Sequence, residues 1–299
     1  FFMEDARRML AATDPPFRHR TGRHRRQLRE HWPANSRLAG PLPVVVVLHG
    51  AFSTARQMDQ WAEWTALADR EGFGVVFPEG IGLFGKLQHW NAGHCCGRAV
   101  QQGWDDMAFL DAVMDHLAAR PGVDAKRIRM VGFSNGGMMV QRYAAERPER
   151  LAAAAVVSGA LNSLETPEAQ PWILPAPARA VPMALIHGTA DVVVPIAGGA
   201  PLDGRNERIY ASFDEAIAFW ARGHPSIGPV ERRSSHAGAV RAETYRDENG
   251  RIVLKAYRLE GWGPQWPGGS VVRALPDDHP WRGFDAAQAI WDFFEDAAK

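Results

Sequence analysis

The stretch that decides the fold is RIRMVGFSNGG, at residues 127–137. It begins as an apolar, strand-like run and then passes through Gly132, Ser134 and Gly136 into a helical pattern that extends to residue 146. A tight strand-to-helix turn strains its central residue, and small flanking residues avoid clashes with the surrounding backbone. The spacing therefore predicts that Ser134 lies on such a turn, with its hydroxyl projecting at the N-terminus of the following helix.

Strands and helices are predicted to alternate along the rest of the chain. The run VVVVL at residues 44–48 is typical of a strand that is buried on both faces. Further strands are expected at 74–78, 127–131, 154–158, 183–187, 241–245 and 252–259, and helices at 56–71, 104–120, 136–146, 212–221 and 284–297. This alternation indicates βαβ units, so the predicted fold class is α/β, with a doubly wound, mostly parallel sheet and helices on both faces.

Length and charge limit the classes of function. A chain of 299 residues suits one large domain, and its 34 basic and 34 acidic side chains give no reason to expect a nucleic-acid partner. The sequence has no apolar stretch of about 18 residues, so no membrane span is predicted. We divide the chain into a basic N-terminal segment, residues 1–40, and a single domain, residues 41–299. The arginine-rich run Arg18–Arg29 could form an anion site, but we favour a solvated edge strand or tail.

Ser134 is the candidate nucleophile, because a strained strand-to-helix turn is where an exposed, reactive serine is found in α/β proteins. The backbone N–H of Asn135 would then face the oxyanion that develops during attack. A second N–H should come from the loop after VVVVL, where Ala51 and Phe52 are the candidates. His49 also lies in this loop and precedes the nucleophile, so we interpret it as a hydrogen-bonding residue that shapes the loop.

The candidate acid is Asp191, which ends the segment HGTAD at the carboxyl end of a predicted strand. A carboxylate in this place would orient an imidazole and stabilise its charged form. The alternative is an Asx-turn at the exit of the strand.

Several of these motifs together resemble one family. They are LHG at 48–50, WNAGHCCG at 90–97, the pair Asp105-Asp106, GFSNGGMM at 132–139, and HGTAD at 187–191 continuing to Pro195. The chain resembles the polyhydroxybutyrate depolymerase/feruloyl esterase family, in its branch with a Cys-Cys-Gly block, from about residue 41 to the C-terminal helix. The resemblance implies an α/β-hydrolase fold, a secreted or periplasmic location and no cofactor. It also implies serine esterase activity, through an acyl-enzyme, on short-chain hydroxyalkanoate or aryl (feruloyl-type) esters, either small or polymeric.

The chain departs from that family at the catalytic base. The family places its histidine in a Gly-Gly-Gly-His-x-Trp-Pro-Gly block, but here the block reads GWGPQWPGG at 261–269, with Pro264 at the histidine position. Of the three histidines after Asp191 (His224, His236 and His279), His279 lies between the last strand and the last helix. It preserves the order Ser, acid, His, so we predict that it is the base. The alternative is a catalytically impaired binding protein that keeps the fold.

Other candidate residues surround the predicted site. His89, His94, Cys95 and Cys96 lack familiar zinc spacing, so no metal is predicted, and the cysteines could be free thiols, a vicinal disulfide or buried apolar residues. Asp105 and Asp106 are expected to cap a helix and to satisfy loop amides. The candidate groove walls are Trp90, Trp104, Trp262, Trp266 and Trp281. The sequence leaves the oligomeric state open.

Overall fold

The computed structural model describes residues 17–34, 40–204, 207–224 and 226–298. Within these ranges the chain forms the predicted α/β architecture, in which a nine-stranded sheet is covered by helices on both faces. The strands are β1 (His19–Thr21), β2 (His24–Arg26), β3 (Leu28–His31), β4 (Leu42–Leu48), β5 (Gly74–Pro78), β6 (Val123–Phe133), β7 (Ala153–Val157), β8 (Ser163–Leu164), β9 (Met183–Gly188), β10 (Ile209–Tyr210), β11 (Glu231–Ser235), β12 (Val240–Arg246) and β13 (Ile252–Leu259). The helices are α1 (Ala55–Ala62), α2 (Trp64–Glu71), α3 (Gly97–Gln101), α4 (Asp106–Ala119), α5 (Asn135–Glu146), α6 (Phe213–Arg222), α7 (Gly269–Arg273) and α8 (Ala286–Ala297).

The large sheet has the strand order β11-β12-β13-β9-β7-β6-β4-β5-β3. Its centre, from β13 to β5, is parallel, whereas the edge pairings β3–β5, β12–β13 and β11–β12 are antiparallel. The chain passes from β4 to β5 on one side and then back to β6 on the other, which makes the carboxyl ends of β4 and β6 a topological switch point. Ligand sites of open α/β sheets lie at such points.

Strand β4 shows why the core has two layers. Val44, Val46 and Leu48 pack in one hydrophobic cluster, whereas Val45 and Val47 pack in a second cluster on the opposite face. All five side chains are fully buried. Because successive side chains of a strand point to opposite faces, an unbroken apolar run is suited to a strand that is covered on both sides.

Two of the differences from the sequence prediction concern a covering helix and an edge strand of the large sheet. The helix expected over 56–71 is divided into α1 and α2, because Glu63 between them adopts a left-handed conformation with φ of 57°. Strand β11 was not predicted, since all five of its side chains are exposed and its sequence has no apolar alternation.

The N-terminal segment is more closely integrated than predicted. Strands β1 and β2 form a hairpin, and β3 pairs antiparallel with β5 as the expected edge strand. Residues 1–16 and 35–39 of the segment predicted as part tail and part edge strand, residues 1–40, lie outside the described residues. The expectation of a solvated basic run is wrong for Arg26, which is 2% exposed and forms an ion pair with Asp106. None of the helices within the described ranges is long and apolar enough to cross a membrane.

Candidate active site

Ser134 lies on the predicted turn between β6 and α5. Its φ of 51° and ψ of −121° are unusual for a residue with a side chain. A Cβ on Gly132 would lie 2.2 Å from the Gly136 carbonyl oxygen, and a Cβ on Gly136 would lie 2.4 Å from the His49 carbonyl oxygen. Both positions therefore require glycine, and the turn holds Ser134 at the carboxyl edge of the sheet.

Two backbone N–H groups near Ser134 are candidates for an oxyanion hole. The Asn135 amide is the first of α5, so it has no acceptor within the helix. Gly50 approaches Ser134 so closely that a Cβ there would lie 3.4 Å from the Ser134 Cβ, and within the described ranges no acceptor meets the next amide, that of Ala51. The Phe52 amide already donates to the Gln88 carbonyl at 2.9 Å, so the structure favours Ala51 over Phe52.

The side chain of Asn135 ties this site to a neighbouring loop. Its Oδ1 accepts the Trp90 amide at 2.8 Å, and its Nδ2 donates to the Trp90 carbonyl at 3.1 Å. The Trp90 indole N–H donates to the His49 carbonyl at 2.9 Å. The start of α5, the loop at Trp90 and the end of β4 are therefore joined by buried hydrogen bonds.

His49 has the loop-shaping role that the sequence predicts. Its Nδ1–H donates to the Gly50 carbonyl at 2.8 Å, and its Nε2 accepts the Gly80 amide at 3.0 Å. Because an amide N–H can only donate, Nε2 must be unprotonated. Burial lowers the pKa of His49 to about 4, which keeps the ring neutral.

Asp191 combines the two alternatives that the sequence left open. Its Oδ1 accepts the amides of Val193 and Val194 at 2.9 Å each, as in a turn at a strand exit. Its Oδ2 is buried and makes no hydrogen bond to any described residue. His187 Nε2 lies 3.5 Å from Oδ2 but has a shorter contact, 2.8 Å, with the Val194 carbonyl. His187 was not predicted as a site residue, because in the sequence it is one more residue of an apolar strand.

The structure does not bring His279 to the other two candidates. Its Nδ1 accepts the Trp281 amide at 3.2 Å, and no hydrogen bond within the described ranges joins it to Asp191 or Ser134. An indirect connection exists, because the Trp281 ring lies 5.3 Å from the Trp262 ring and the Trp262 carbonyl accepts the Ala190 amide at 2.9 Å. The role of His279 as base stays a prediction.

The loop that carries Pro264 packs against the end of β9. A Cβ on Gly188 would lie 2.3 Å from the Trp262 carbonyl oxygen, so this loop lies directly on the strand that leads to Asp191. The other two histidines have different surroundings. His236 contacts Ser235 and the Phe284 ring in the turn between β11 and β12, and His224 is half-buried after α6.

Four of the five tryptophans proposed as groove walls are core residues. Trp90, Trp262, Trp266 and Trp281 are each at most 7% exposed, so they cannot form open walls. Trp104 alone among them is partly exposed, beside the His24 ring. The exposed large apolar side chains of the described chain instead follow the carboxyl ends of β4, β5, β7 and β9. They are Phe52, Leu83, Leu87, Ile173, Val192 and Leu202.

The remaining candidates have structural partners. Cys95 and Cys96 are paired as a vicinal disulfide, and His94 Nδ1 contacts the Ser163 hydroxyl at 2.9 Å. Asp105 caps α4, as predicted, by accepting the Ala108 amide at 2.9 Å. The expectation for Asp106 is also confirmed, because its Oδ2 accepts the Asn91 amide at 2.7 Å.

Comparison with known proteins agrees with this geometry. A solved acetyl xylan esterase from Aspergillus awamori superposes with a TM-score of 0.60 at 16% identity, over 90% of this chain and 94% of that one. The chain has the α/β-hydrolase fold. The family model that describes phospholipases and carboxylesterases matches residues 103–208, about a third of this chain, in a range that contains Ser134 and Asp191.

The chain is also similar in sequence to several esterases. NocK from Nocardia uniformis subsp. tsuyamanensis, whose esterase assignment is provisional, is 30% identical over 244 residues, 76% of this chain and 66% of NocK. Feruloyl esterase B from Piromyces equi is 32% identical over 52% of this chain and 27% of its own length. Poly(3-hydroxyalkanoate) depolymerase C from Paucimonas lemoignei is 23% identical over 81% of this chain and 58% of its own length. The chain thus spans less than two thirds of the length of each of these three relatives.

Proposed function

We propose that this α/β-hydrolase is a serine esterase that works through an acyl-enzyme. The observation that carries the proposal is the strained Ser134, which is followed by the Asn135 amide and closely approached by Gly50, the residue before Ala51. Within the described ranges, neither the Asn135 amide nor the Ala51 amide meets an acceptor. Donors fixed beside a nucleophile favour an oxyanion that forms in the transition state, because they need no reorganisation when charge develops. A plain strand-to-helix turn would need neither the strain nor the open amides.

The proposed reaction has two halves. Ser134 Oγ attacks the ester carbonyl carbon while His279 takes its proton, and the protonated imidazole then gives this proton to the departing alkoxide. Water repeats the sequence on the acyl-enzyme and releases the acid. Asp191 would hold the imidazole through Oδ2, the oxygen that no described residue meets with a hydrogen bond. For this to happen, His279 must release the Trp281 amide, because Nδ1 has to donate to Asp191.

The proposed substrates are short-chain hydroxyalkanoate or aryl esters, small or polymeric. The exposed apolar side chains at the carboxyl edge of the sheet, among them Phe52 at 66% and Leu87 at 51%, support an apolar substrate. The names of the feruloyl esterase and depolymerase relatives are consistent with these two ester classes.

The experiment is hydrolysis of p-nitrophenyl acetate and butyrate by wild type, Ser134→Ala, His279→Ala and the control His236→Ala. We expect Ser134→Ala to lower kcat by on the order of 10³-fold or more, and His279→Ala to lower it by about 10²-fold or more. His236→Ala should match wild type, since its contacts lie in the outer turn. Wild-type activity equal to that of Ser134→Ala would overturn the proposal, and an active His279→Ala would overturn only the assignment of the base.

A further inference from the structure

Arg26 is a buried residue that has no role in the reaction proposed above. It comes from the N-terminal hairpin, outside the part of the chain that carries the family motifs, and yet it is 2% exposed. Its guanidinium carbon lies 3.7 Å from the Phe109 ring centroid and 5.8 Å from that of Trp90. A planar group packed against aromatic rings keeps a fixed orientation, so its N–H groups point in fixed directions.

The first chain of hydrogen bonds runs from Arg26 Nη1 to the helix that carries the Asn135 amide. Arg26 Nη1 donates to Asp106 Oδ1 at 2.6 Å, and Asp106 Oδ2 accepts the Asn91 amide at 2.7 Å. The residue before Asn91 is Trp90, whose backbone amide and carbonyl are both bound by the Asn135 side chain. The loop that holds Asn135 is therefore fixed by a buried carboxylate, and that carboxylate is paired with Arg26.

The second chain of hydrogen bonds runs from Arg26 Nη2 to the loop that carries the Ala51 amide. Arg26 Nη2 donates to the Glu79 carbonyl at 3.0 Å, and the next residue, Gly80, donates its amide to His49 Nε2 at 3.0 Å. His49 and Gly50 lead directly to Ala51. The Glu79 carboxylate also accepts the amide of Ala55, at the start of α1, at 3.0 Å.

We propose that Arg26 is a positioning residue for the oxyanion hole, because one guanidinium holds the two loops that place its two donors. The inference rests on the proposed esterase function, in which Asn135 and Ala51 bind the oxyanion. Arg26 itself does not contact the reacting atoms. Its effect is to keep two amides, one at the start of α5 and one in the loop after β4, at the separation that a tetrahedral oxyanion requires.

The two branches explain why the residue is arginine. Asp106 and the Glu79 carbonyl are bound by different nitrogens of the guanidinium, Nη1 and Nη2, while its plane lies against Phe109. A lysine has one nitrogen and no planar group, so it could keep the charge near Asp106 but not both contacts in this geometry. Burial raises the pKa of Asp106, and the charge of Arg26 acts in the opposite direction.

The test compares Arg26→Met and Arg26→Lys with Arg25→Met, which removes the exposed arginine next to it on β2. The substrates are p-nitrophenyl acetate and its thiono analogue, in which sulfur replaces the carbonyl oxygen. Sulfur accepts hydrogen bonds weakly, so an intact oxyanion hole favours the oxygen ester. The ratio of kcat/KM for the two substrates is independent of the fraction of folded enzyme, because both are cleaved by the same molecules.

We expect Arg26→Met to lower kcat for the oxygen ester by about 10- to 100-fold, with KM nearly unchanged, and to lower the oxygen-to-sulfur ratio. Arg26→Lys should fall between Arg26→Met and wild type, and it carries the test if Arg26→Met does not fold. Arg25→Met should keep the wild-type ratio. Equal losses on both esters, with the ratio unchanged, would show a purely structural role and overturn the inference.

A second measurement separates this inference from the proposed function. Hydrogen exchange at the Gly80, Trp90 and Asn91 amides needs no activity, and we expect faster exchange at all three in the Arg26 variants than in Arg25→Met. If wild type proves no more active than Ser134→Ala, the esterase proposal fails, and this exchange pattern alone decides whether Arg26 holds both loops. Unchanged exchange in the Arg26 variants would overturn that role.

Discussion

The two sides of Ser134 differ in how completely their polar groups are paired. On the side of β4 and α5, His49, Asn135 and Asp106 each bind two partners, and the amides left open are those proposed to bind the oxyanion. On the side of β9, Asp191 Oδ2 is buried and makes no hydrogen bond to a described residue, and Pro264 stands where the resemblance predicts a histidine. Many backbone contacts can together hold the amides of an oxyanion hole, whereas an acid–base pair depends on one imidazole at one place.

The largest effect on stability should come from removing the Asp106 carboxylate, which lies on the side of β4 and α5. Asp106→Ala leaves the Arg26 guanidinium buried without its counter-charge, which typically costs about 3–5 kcal/mol of unfolding free energy. The neighbouring Asp105→Ala is the matched control, since it removes only a helix cap worth about 1 kcal/mol. Urea denaturation measures both variants. Equal losses would mean that the Arg26–Asp106 pair contributes no more than an exposed cap.

On the side of β9, the substitution Pro264→His tests whether an imidazole at this position restores an acid–base pair with Asp191. If position 264 faces the Asp191 carboxylate, the new imidazole gains an orienting partner, and we expect kcat/KM for p-nitrophenyl acetate to rise by about 10²-fold or more. Pro264→Gln is the control for loss of the proline ring itself. The gain should disappear when Ser134→Ala is added. No gain would indicate that the loop holds position 264 out of reach of Ser134.

On the side of β4 and α5, His49 should make the stability of the fold sensitive to acid. Burial lowers its pKa to about 4, below the value of about 6.5 in an unfolded chain, so the unfolded chain binds more protons between these values. Stability is therefore lost as the pH falls from about 6.5 toward 4. We expect His49 to contribute about 2 kcal/mol of loss between pH 7 and pH 5. Urea denaturation at both values should show a smaller loss in His49→Gln, and an unchanged loss would assign the effect to other groups.

Local spacing predicts the parts of the site that depend on the backbone nearby. The Ser134 turn follows from Gly132 and Gly136, and the cap at Asp105 follows from its place before an apolar helix. The choice of Ala51 over Phe52 could not be predicted, because it depends on the Gln88 carbonyl from another loop.

The missed features share one physical cause, which is contact between distant parts of the chain. An indole can pack in a core or line a groove, and only the tertiary neighbours of Trp262, Trp266 and Trp281 show that they pack. The burial of Arg26 likewise depends on a carboxylate 80 residues away. A run of arginines alone gives no sign of which one will be buried.

The burial of Arg26 limits how far the chain can be shortened from its N-terminal side. A fragment beginning at residue 41 would retain the family motifs and every parallel strand, and by sequence it would count as a complete unit. It would nevertheless lack the cation that neutralises Asp106, and strand β5 would lose its neighbour β3. We therefore expect a fragment that begins at residue 41 to be less stable than one that keeps strands β1 to β3, so a truncation or fusion should retain the hairpin.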